Sequence, residues 1–389
     1  MAGILGIKGT GTFTTNVERP MNWREMILYL FPNGEAPLTA LLSKLSSEGT
    51  DDYQFHWFEK ALPTQRFQLN ANVAQGATSM VLKTAGGNDE YKFWKAGHLF
   101  MHENTGEIAL VTADPSSNTI SITKGWGEVN DTGWNANDYI VIIGTVYAEG
   151  ASAPTPIGYA PDYYYNYTQI FRDTLGITRT AKKTRLRTGD AYEEAKRECL
   201  QFHSIQLEKA FIFGNRYATT SGGQRISSTR GILKWISTNV FDAGGTLTES
   251  EWDTYMEAAF RYGSSEKLAL VGSTALNVLN QLAKGKSTIQ VVPGNQTYGM
   301  NLVRYESPFG ILYLRMHPLF NDHPEWRKMM VIIDTDKIKY RFIDDTDFYV
   351  NRQSPGTDAS LDEFLTEAGL EVHHEKCHAY ITNITSFAP

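Results

Sequence analysis

The stretch "DAYEEAKRECLQFHSIQLEKAFIFGN" (residues 190–215) predicts the best helix of the sequence. Asp190 followed by Glu193 has the spacing of a capping box, in which the two residues satisfy free backbone N–H groups at the start of a helix. At ~1.5 Å per residue the helix would be on the order of 35 Å long. Its apolar side is predicted to contain Leu200, Leu207 and Phe211, with Ala195, Cys199 and Phe202 beside them. The fold therefore includes a long amphipathic helix.

The region before this helix consists of short strand-like runs. "SMVLK", "GHLFMH", "EIALVT", "NTISIT" and "DYIVIIG" lie between residues 66 and 150 and are separated by turn sequences, which predicts a small β-barrel or sandwich. Two extended aromatic stretches flank this region, "DYQFHWFE" (52–59) and "DYYYNYTQIF" (162–171). The simplest interpretation is a long β-hairpin arm, residues 49–65 and 151–188, that carries an inserted β domain, residues 66–150.

The region after the long helix contains both helices and strands. Thr248 and Glu251 have the spacing of a second capping box ahead of an amphipathic helix. "KLALVG" predicts a buried strand, "STALNVLNQLAKG" predicts a helix from Ser273 to a stop at Gly285, and strand-like runs beginning with "IQVV" follow. At 389 residues the chain exceeds what one hydrophobic core usually supports. The predicted class is α+β with two or three packed units.

Composition excludes several classes of protein. The sequence has 36 basic and 43 acidic residues, a formal charge of −7, whereas proteins that bind DNA backbones tightly usually carry a basic surplus. Apolar runs such as "YIVII" (139–143) are too short to span a membrane as a helix, and no secretory signal is visible. Two cysteines, Cys199 and Cys377, do not form a disulfide framework. We expect no cofactor.

Positive charge is concentrated in "RDTLGITRTAKKTRLR" (172–187). A basic run can contact nucleic acid, but the alternation of charged and uncharged residues favours a strand whose charged face meets an acidic neighbour. We therefore predict a protein interface that contains Arg179, Lys182, Lys183, Arg185 and Arg187.

The stretch "HHEKCH" (373–378) contains the side chains that bind zinc. On a helix, His374, Glu375 and His378 would match the H-E-x-x-H pattern of zinc hydrolases. On a strand, successive side chains point to opposite faces, so that one face offers at most two ligands. The neighbouring runs "LEVHH" and "AYITNI" are strand-like, which favours a strand–turn–strand and no metal.

A second polar cluster, Asp344, Asp345 and Asp347, lies in "IDDTDFYVN". Carboxylates at this density can bind a cation or act in acid–base catalysis, but a solvated turn between strands is the favoured interpretation. No arrangement of Ser, His and Asp or of Cys and His suggests a nucleophilic site. We therefore expect no enzymatic activity, and a metal-dependent hydrolase using "HHEKCH" is the alternative.

The order of these parts resembles the major capsid proteins of tailed bacteriophages, which have the Hong Kong 97-type fold. The most similar stretches are "LEKAFIFGN" (207–215), "STRGILKWI" (228–236), "LALVGSTALNVLNQL" (268–282), "YGMNLVRYESPFGILYL" (298–314) and "VHHEKCHAYITNI" (372–384). The resemblance covers nearly the whole chain and is to a branch with a β domain inserted in the extended loop. It implies an N-terminal arm (1–48), extended-loop arms (49–65 and 151–188), a peripheral domain with the spine helix (189–228 and 330–389) and an axial domain (229–329).

The resemblance implies a structural virion protein that forms hexamers and pentamers and closes into an icosahedral shell. The shell would enclose double-stranded DNA without sequence-specific binding, and it would assemble in the host bacterial cytoplasm, with portal, scaffold or decoration proteins as partners and no membrane. The aromatic residues of the hairpin arm would then be buried against a neighbouring subunit: Tyr53, Phe55, Trp57, Tyr163, Tyr165 and Tyr167. The histidines of "HHEKCH" could titrate at a subunit contact. An encapsulin-like nanocompartment is the alternative with the same fold.

Overall fold

The computed structural model of the protein describes residues 38, 47–61, 65–84, 90–127, 132–184, 190–286, 296–297, 300–301 and 303–388. The chain divides into two units, a larger one of Met1–Trp57 with Tyr163–Pro389 and a smaller one of Phe58–Asp162. None of the helices in these described ranges is long and apolar enough to cross a membrane.

The strands, in chain order, are β1 (Ser47–Gly49), β2 (Gln54–Glu59), β3 (Arg66–Gln68), β4 (Ser79–Val81), β5 (His98–His102), β6 (Ile108–Val111), β7 (Thr119–Thr123), β8 (Tyr139–Thr145), β9 (Asp162–Tyr167), β10 (Gln169–Thr178), β11 (Tyr217–Ser221), β12 (Gln224–Ser228), β13 (Val240–Thr248), β14 (Glu266–Val271), β15 (Gln296–Thr297), β16 (Met300–Asn301), β17 (Val303–Ser307), β18 (Gly310–Met316), β19 (Met330–Ile333), β20 (Ile338–Tyr349), β21 (Ala359–Val372) and β22 (Ala379–Ala388). The helices are α1 (Arg179–Lys183), α2 (Ala191–Phe213), α3 (Ile232–Trp235), α4 (Glu249–Phe260) and α5 (Ser273–Lys286).

The smaller unit is a β-barrel. Its strands are hydrogen-bonded in the order β3-β8-β5-β6-β7-β4, and a bridge between Leu69 and Leu82 joins the two outer strands. Within β7, Ile120 and Ile122 are buried and the residues between and beside them are exposed. Side chains that alternate in this way direct one face of every strand inward. The barrel therefore encloses its own apolar core around residues such as Trp134.

In the larger unit a mixed sheet has the strand order β13-β22-β19-β14-β18-β17. Helices α4 and α5 contribute Trp252, Met256 and Leu279 to the core on one face of this sheet. The predicted capping box is confirmed, because Thr248 and Glu251 bond reciprocally at the start of α4. The predicted stop at Gly285 is wrong, since α5 continues to Lys286. The run "IQVV" lies outside the described residues.

A second sheet of the larger unit has the order β1-β20-β21-β10. Strand β21 is antiparallel to both β20 and β10, and β1 pairs parallel to the beginning of β20. Helix α2 packs on this sheet through Leu207 and Phe211, which join a core with Phe171 and Tyr340. The predicted cap Asp190 is confirmed, and its carboxylate accepts from the N–H of Tyr192.

The predicted apolar side of α2 is wrong at two positions. Leu200 is 42% exposed and Phe202 is 62% exposed, whereas His203 and Glu208 are buried on the helix face that meets the core. These polar residues can be buried because distant segments supply partners. His203 bonds to Asp173 through Nδ1 and to Thr366 through Nε2, both at 2.7 Å.

Glu208 connects three parts of the larger unit. Its Oε1 lies 2.7 Å from Nε2 of His317 and accepts from the N–H of Leu38 at 2.8 Å. The Leu38 side chain is buried in the same core as α2. In the sequence, Leu38, Leu41, Leu42 and Leu45 have the spacing of one apolar helix face, and the last three of these residues lie outside the described residues. A buried carboxylate therefore holds the chain at Leu38 against the long helix.

Candidate subunit interface

The strands β2 and β9 pair as the predicted hairpin, and its inner face belongs to the subunit's own core. Phe55 and Trp57 are buried and join the core of α2, where the Trp57 ring lies 5.3 Å from Trp235 and 6.2 Å from Tyr164. The expectation that Phe55 and Trp57 are buried by a neighbouring subunit is therefore wrong. Alternation along β2 turns these two side chains inward, because period two places residues 55 and 57 on one face.

The other face of the hairpin carries a row of aromatic rings. Tyr53 stacks on Tyr167 at 5.8 Å between centroids, Tyr167 lies 5.7 Å from Tyr165, and Tyr165 lies 6.2 Å from Tyr163. His56 stacks on Tyr163 at 5.1 Å, and the hydroxyl of Tyr163 hydrogen-bonds to its Nδ1. The Tyr163 side chain is 54% exposed. Partial burial and the neighbouring tyrosines raise the pKa of Tyr167.

Two arginines that the sequence did not single out lie on this aromatic row. The guanidinium carbon of Arg216 is 4.0 Å from the centroid of Tyr165, and that of Arg225 is 3.8 Å from the centroid of Tyr53. Cations over aromatic faces are attracted by the ring quadrupole. We name this surface the tyrosine–arginine strip, and it consists of Tyr53, His56, Tyr163, Tyr165, Tyr167, Arg216 and Arg225.

A row of glutamates on β21 pairs with arginines from neighbouring segments. Glu363 lies 2.6 Å from Arg172, and Glu367 lies 3.1 Å from Arg225. Glu371 bonds to Arg341 and His373; although burial opposes it, these hydrogen bonds hold the pKa of Glu371 below its ordinary value. A spacing of four residues places all three carboxylates on one face of a strand. This spacing was visible in "EFLTEAGLE" (363–371) but the basic partners were not.

Three of the five predicted basic interface residues lie on a short helix and not on a strand. Arg179, Lys182 and Lys183 belong to α1, and Arg185 and Arg187 lie outside the described residues. Thr178 caps α1, and its side chain accepts from the N–H of Ala181, so that a local cap overrides the alternating charge pattern.

Two residues of this basic group, Arg179 and Lys182, have partners within the same chain. Arg179 pairs with Asp358 at 2.7 Å, and Lys182 lies 4.6 Å from the ring centroid of Tyr192. The hydroxyl of Tyr192 donates to Asp362 at 2.5 Å, which raises the pKa of Tyr192 to about 12. Arg179 and Lys182 therefore contact nearby segments of the same chain, whereas Lys183 is exposed to solvent.

The "HHEKCH" stretch forms a strand–turn–strand, as predicted. Strand β21 ends at Val372, a single 3₁₀ turn covers Glu375–Cys377, and β22 begins at Ala379. The side chains of the stretch separate. Glu375 accepts hydrogen bonds from Ser237 and Thr238, whereas the buried His378 accepts the N–H of Asp334 at Nδ1.

Burial lowers the pKa of His378 to about 4. The idea that His378 titrates at a subunit contact near neutral pH is therefore wrong, because the side chain is enclosed by its own subunit and stays neutral.

The aspartates of "IDDTDFYVN" lie in a strand and not in a turn. The register of β20 against β21 is irregular between Phe342 and Asp344 and again between Asp344 and Asp347, which indicates bulges. Asp344 accepts from the hydroxyl of Tyr349, and Asp345 accepts from the hydroxyl of Tyr340. Among the described residues no three His, Cys, Asp or Glu side chains are grouped so that they could hold a metal ion.

Comparison with known proteins identifies relatives of this chain. A sequence model of the family described as SU10 major capsid protein matches residues 7–385. The major capsid protein of Pseudomonas phage PaMx41 is 25% identical over 342 residues, which cover 85% of this chain and 80% of the relative. The capsid of a native GTA particle superposes with a TM-score of 0.50 at 9% identity, covering 98% of this chain and all of the other. An encapsulin from Synechococcus elongatus matches 59% of this chain and 80% of its own length, with a TM-score of 0.44 and 10% identity.

Proposed function

This chain belongs to the SU10 major capsid protein family and is a structural subunit of a phage capsid with the Hong Kong 97-type fold, and from this premise we propose that it assembles as hexamers and pentamers into an icosahedral shell around double-stranded phage DNA. The observation that carries the proposal is the family match over residues 7–385. The structural role of this family supports a further proposal, that the protein is not an enzyme.

The parts of the chain have separate proposed roles. We assign the N-terminal arm to residues 1–48, the extended-loop arms to 49–65 and 151–188, and the inserted β domain to 66–150. The peripheral domain with its spine helix comprises residues 189–228 and 330–389, and the axial domain comprises 229–329. The hairpin of β2 and β9 supports this division, because its inner face packs on the subunit's own core and its tyrosine face remains accessible.

The accessible tyrosines support a role in contacts between subunits. Aromatic and arginine side chains are enriched in the centres of protein interfaces, and Tyr163, Tyr165 and Tyr167 lie together with Arg216 on one surface. The exposed end of α1, at Lys183, is a second proposed contact, together with Arg179 and Lys182 and with Arg185 and Arg187 of the adjoining sequence. Interlocked obligate contacts commonly bury more than ~2,000 Å², enough to hold a shell together.

The charge of the protein agrees with a container for DNA. A net charge of −7 disfavours tight attachment to a phosphate backbone, so we propose that DNA is enclosed without sequence-specific binding. The chain is a component of the virion, and we propose that the shell forms in the host bacterial cytoplasm with portal, scaffold or decoration proteins.

Electron microscopy of the purified recombinant protein tests the proposal. Shells, capsomers or tubes are the expected result, and a protein that stays monomeric at high concentration contradicts it. Particles isolated from infected cells should contain nuclease-protected DNA. Particles filled with a cargo protein would support the encapsulin-like alternative. Stoichiometric zinc together with a hydrolase activity, both lost in His378→Ala, would support the hydrolase alternative.

A further inference from the structure

One arginine of the tyrosine–arginine strip, Arg216, carries a positive charge that no ion pair among the described residues neutralises. In the described part of the chain, no carboxylate forms an ion pair with Arg216, whose Nη1 donates to the carbonyl oxygen of Tyr165 at 2.8 Å. Arg230 stacks on Trp235 at 4.3 Å and donates to the carbonyl oxygen of Lys234. Burial and the nearby Arg216 lower the pKa of Arg230, and the charge of Glu375 opposes this shift. Within these ranges Arg216 is therefore the arginine of the strip that forms no ion pair, whereas Arg225 pairs with Glu367 at 3.1 Å. Arg230 lies beside the strip and is close enough to Glu375 for their charges to interact.

Exposed apolar side chains occur on the strands that carry or adjoin the strip. Tyr163 is more than half exposed, and so are Tyr217 of β11 and Ile226 of β12. Arg216 immediately precedes β11, and Arg225 is part of β12. A partner for this surface would present an apolar side chain beside carboxylates. The apolar side chain would pack on the tyrosine rings, and the carboxylates would pair with the guanidinium groups.

The bulged part of β20 presents that combination. Ile343 is 41% exposed, and Asp345 and Asp347 are exposed beside it. Strand β1 pairs with β20 only as far as Phe342, so the bulged segment lies beyond the paired part of the β20 edge. Within the described ranges neither aspartate forms an ion pair with a lysine or arginine; Asp345 accepts from a tyrosine hydroxyl and a backbone N–H. We name Ile343–Asp347 the acidic bulge.

The sign of the charge decides how two copies can meet. A symmetric contact of one strip with another strip would place arginine against arginine, and a contact of two acidic bulges would place aspartate against aspartate. Like charges opposed in this way destabilise an interface. A contact between different patches is heterologous, and heterologous contacts are the type that generates closed rings.

We propose that the tyrosine–arginine strip of one subunit binds the acidic bulge of a second copy, with Ile343 among the exposed rings and Asp345 and Asp347 facing Arg216. The inference rests on the proposed function, because it names the surfaces through which capsid subunits associate. DNA is the alternative anionic partner for the strip. The acidic bulge favours a second copy, since the same chain supplies a complement with both the apolar and the charged groups.

A charge exchange tests the pairing. Arg216→Glu alone, and Asp345→Arg with Asp347→Arg, should each reduce the yield of assembled particles at least tenfold in sedimentation and electron microscopy. The three substitutions together should restore assembly toward the parent level, because the attraction is re-formed with opposite signs. Lys209→Glu, an equal charge change at a half-exposed residue of α2, is the control and should assemble like the parent.

Circular dichroism and thermal unfolding separate a folding defect from an assembly defect. If the folded single-patch variants assemble like the parent, or if the combined variant shows no recovery, the pairing is wrong although the proposed function stands. A parent protein that does not assemble contradicts the proposed function itself. If Arg216→Glu assembles normally but its particles retain less DNA, the strip binds DNA and the inference is overturned.

A disulfide test measures the contact directly. Tyr163→Cys combined with Ile343→Cys should give covalent dimers and longer ladders when assembled particles are oxidised, since the native Cys199 and Cys377 are both buried. In the matched control the second cysteine is placed at Val350 and Ile343 is left unchanged. Val350 is another exposed residue, and it follows the end of β20. Ladders of equal intensity from Val350→Cys with Tyr163→Cys would contradict the proposed register.

Discussion

Lys267 joins three separate segments of the larger unit, and its replacement tests how that unit is held together. The side chain is 1% exposed. Its Nζ donates to the backbone carbonyl oxygens of Ala259 at 2.7 Å, Tyr262 at 2.8 Å and Cys377 at 2.6 Å. These acceptors lie in α4, in the chain after α4, and in the turn between β21 and β22. We predict that Lys267→Met, which keeps the length of the side chain and removes its donors, strongly destabilises the fold.

The expected size follows from the bonds that are lost. The substitution leaves two buried carbonyl groups and one partly buried carbonyl group without this donor, and an unsatisfied buried polar group costs roughly 1–3 kcal/mol. Removing the ammonium group offsets part of this loss of stability, because a charged group is unfavourable in the interior. The same burial lowers the pKa of Lys267. We expect a net decrease of about 3–5 kcal/mol in the free energy of unfolding, because the loss at the three carbonyl groups exceeds the gain from removing the buried charge.

Urea unfolding of the unassembled subunit, followed by tryptophan fluorescence, measures this decrease. For a slope of about 2–3 kcal/mol per molar urea the midpoint should fall by roughly 1–2 M. Lys209→Met is the matched control: the Nζ of Lys209 lies 3.5 Å from Asp322 at a half-exposed position, and pairs near the surface contribute at most about 1 kcal/mol. Equal midpoints for the two variants would refute the role of Lys267.

The pH dependence provides an independent check. Because the pKa of Lys267 is lower in the folded state, the unfolded state binds this proton more tightly between the two pKa values. The parent should therefore gain stability as the pH rises through the folded pKa toward about 10.4. Lys267→Met should lack this increment, and identical pH profiles for parent and variant would contradict the assignment.

Three further predictions follow from single contacts. Since burial lowers the pKa of His378 from 6.5 to about 4, the parent should lose up to about 3 kcal/mol as the pH falls between these values, and His378→Asn should lose less in urea unfolding at pH 7 and 4.5. Thr248→Ala removes the cap of α4 and should lower the unfolding free energy by about 1 kcal/mol, whereas Thr248→Ser should be near neutral. A Cβ on Gly369 would lie 2.7 Å from the carbonyl oxygen of Tyr167, so Gly369→Ala should lower the melting temperature. Gly49→Ala is the control, because a Cβ on Gly49 would have its nearest atom, the carbonyl oxygen of Phe342, at 3.9 Å. Equal melting temperatures for the two variants would contradict this prediction.

Local sequence signals predicted the elements of the fold where cause and effect lie within a few residues. Asp190 and Thr248 were recognisable as caps because a helix start depends on side chains two or three positions apart. The strands of the barrel were recognisable because alternation alone selects their buried face. The order of these elements along the chain was then sufficient to indicate the fold and the family.

Tertiary structure decided which faces are buried and what lies on the exposed ones. His203 and Glu208 are buried on α2, in place of the predicted Leu200 and Phe202, because Asp173 and His317 reach them from distant segments. The separation of the "HHEKCH" side chains has the same cause.

The tyrosine–arginine strip likewise needed the folded chain. Arg216 is about fifty residues from the ring of Tyr165 that it covers. The periodicity of the sequence describes one helix or strand at a time. A buried polar group is stable only when partners lie within hydrogen-bonding distance, and a contact surface forms only where side chains from several segments meet. Only the folded chain brings those partners together.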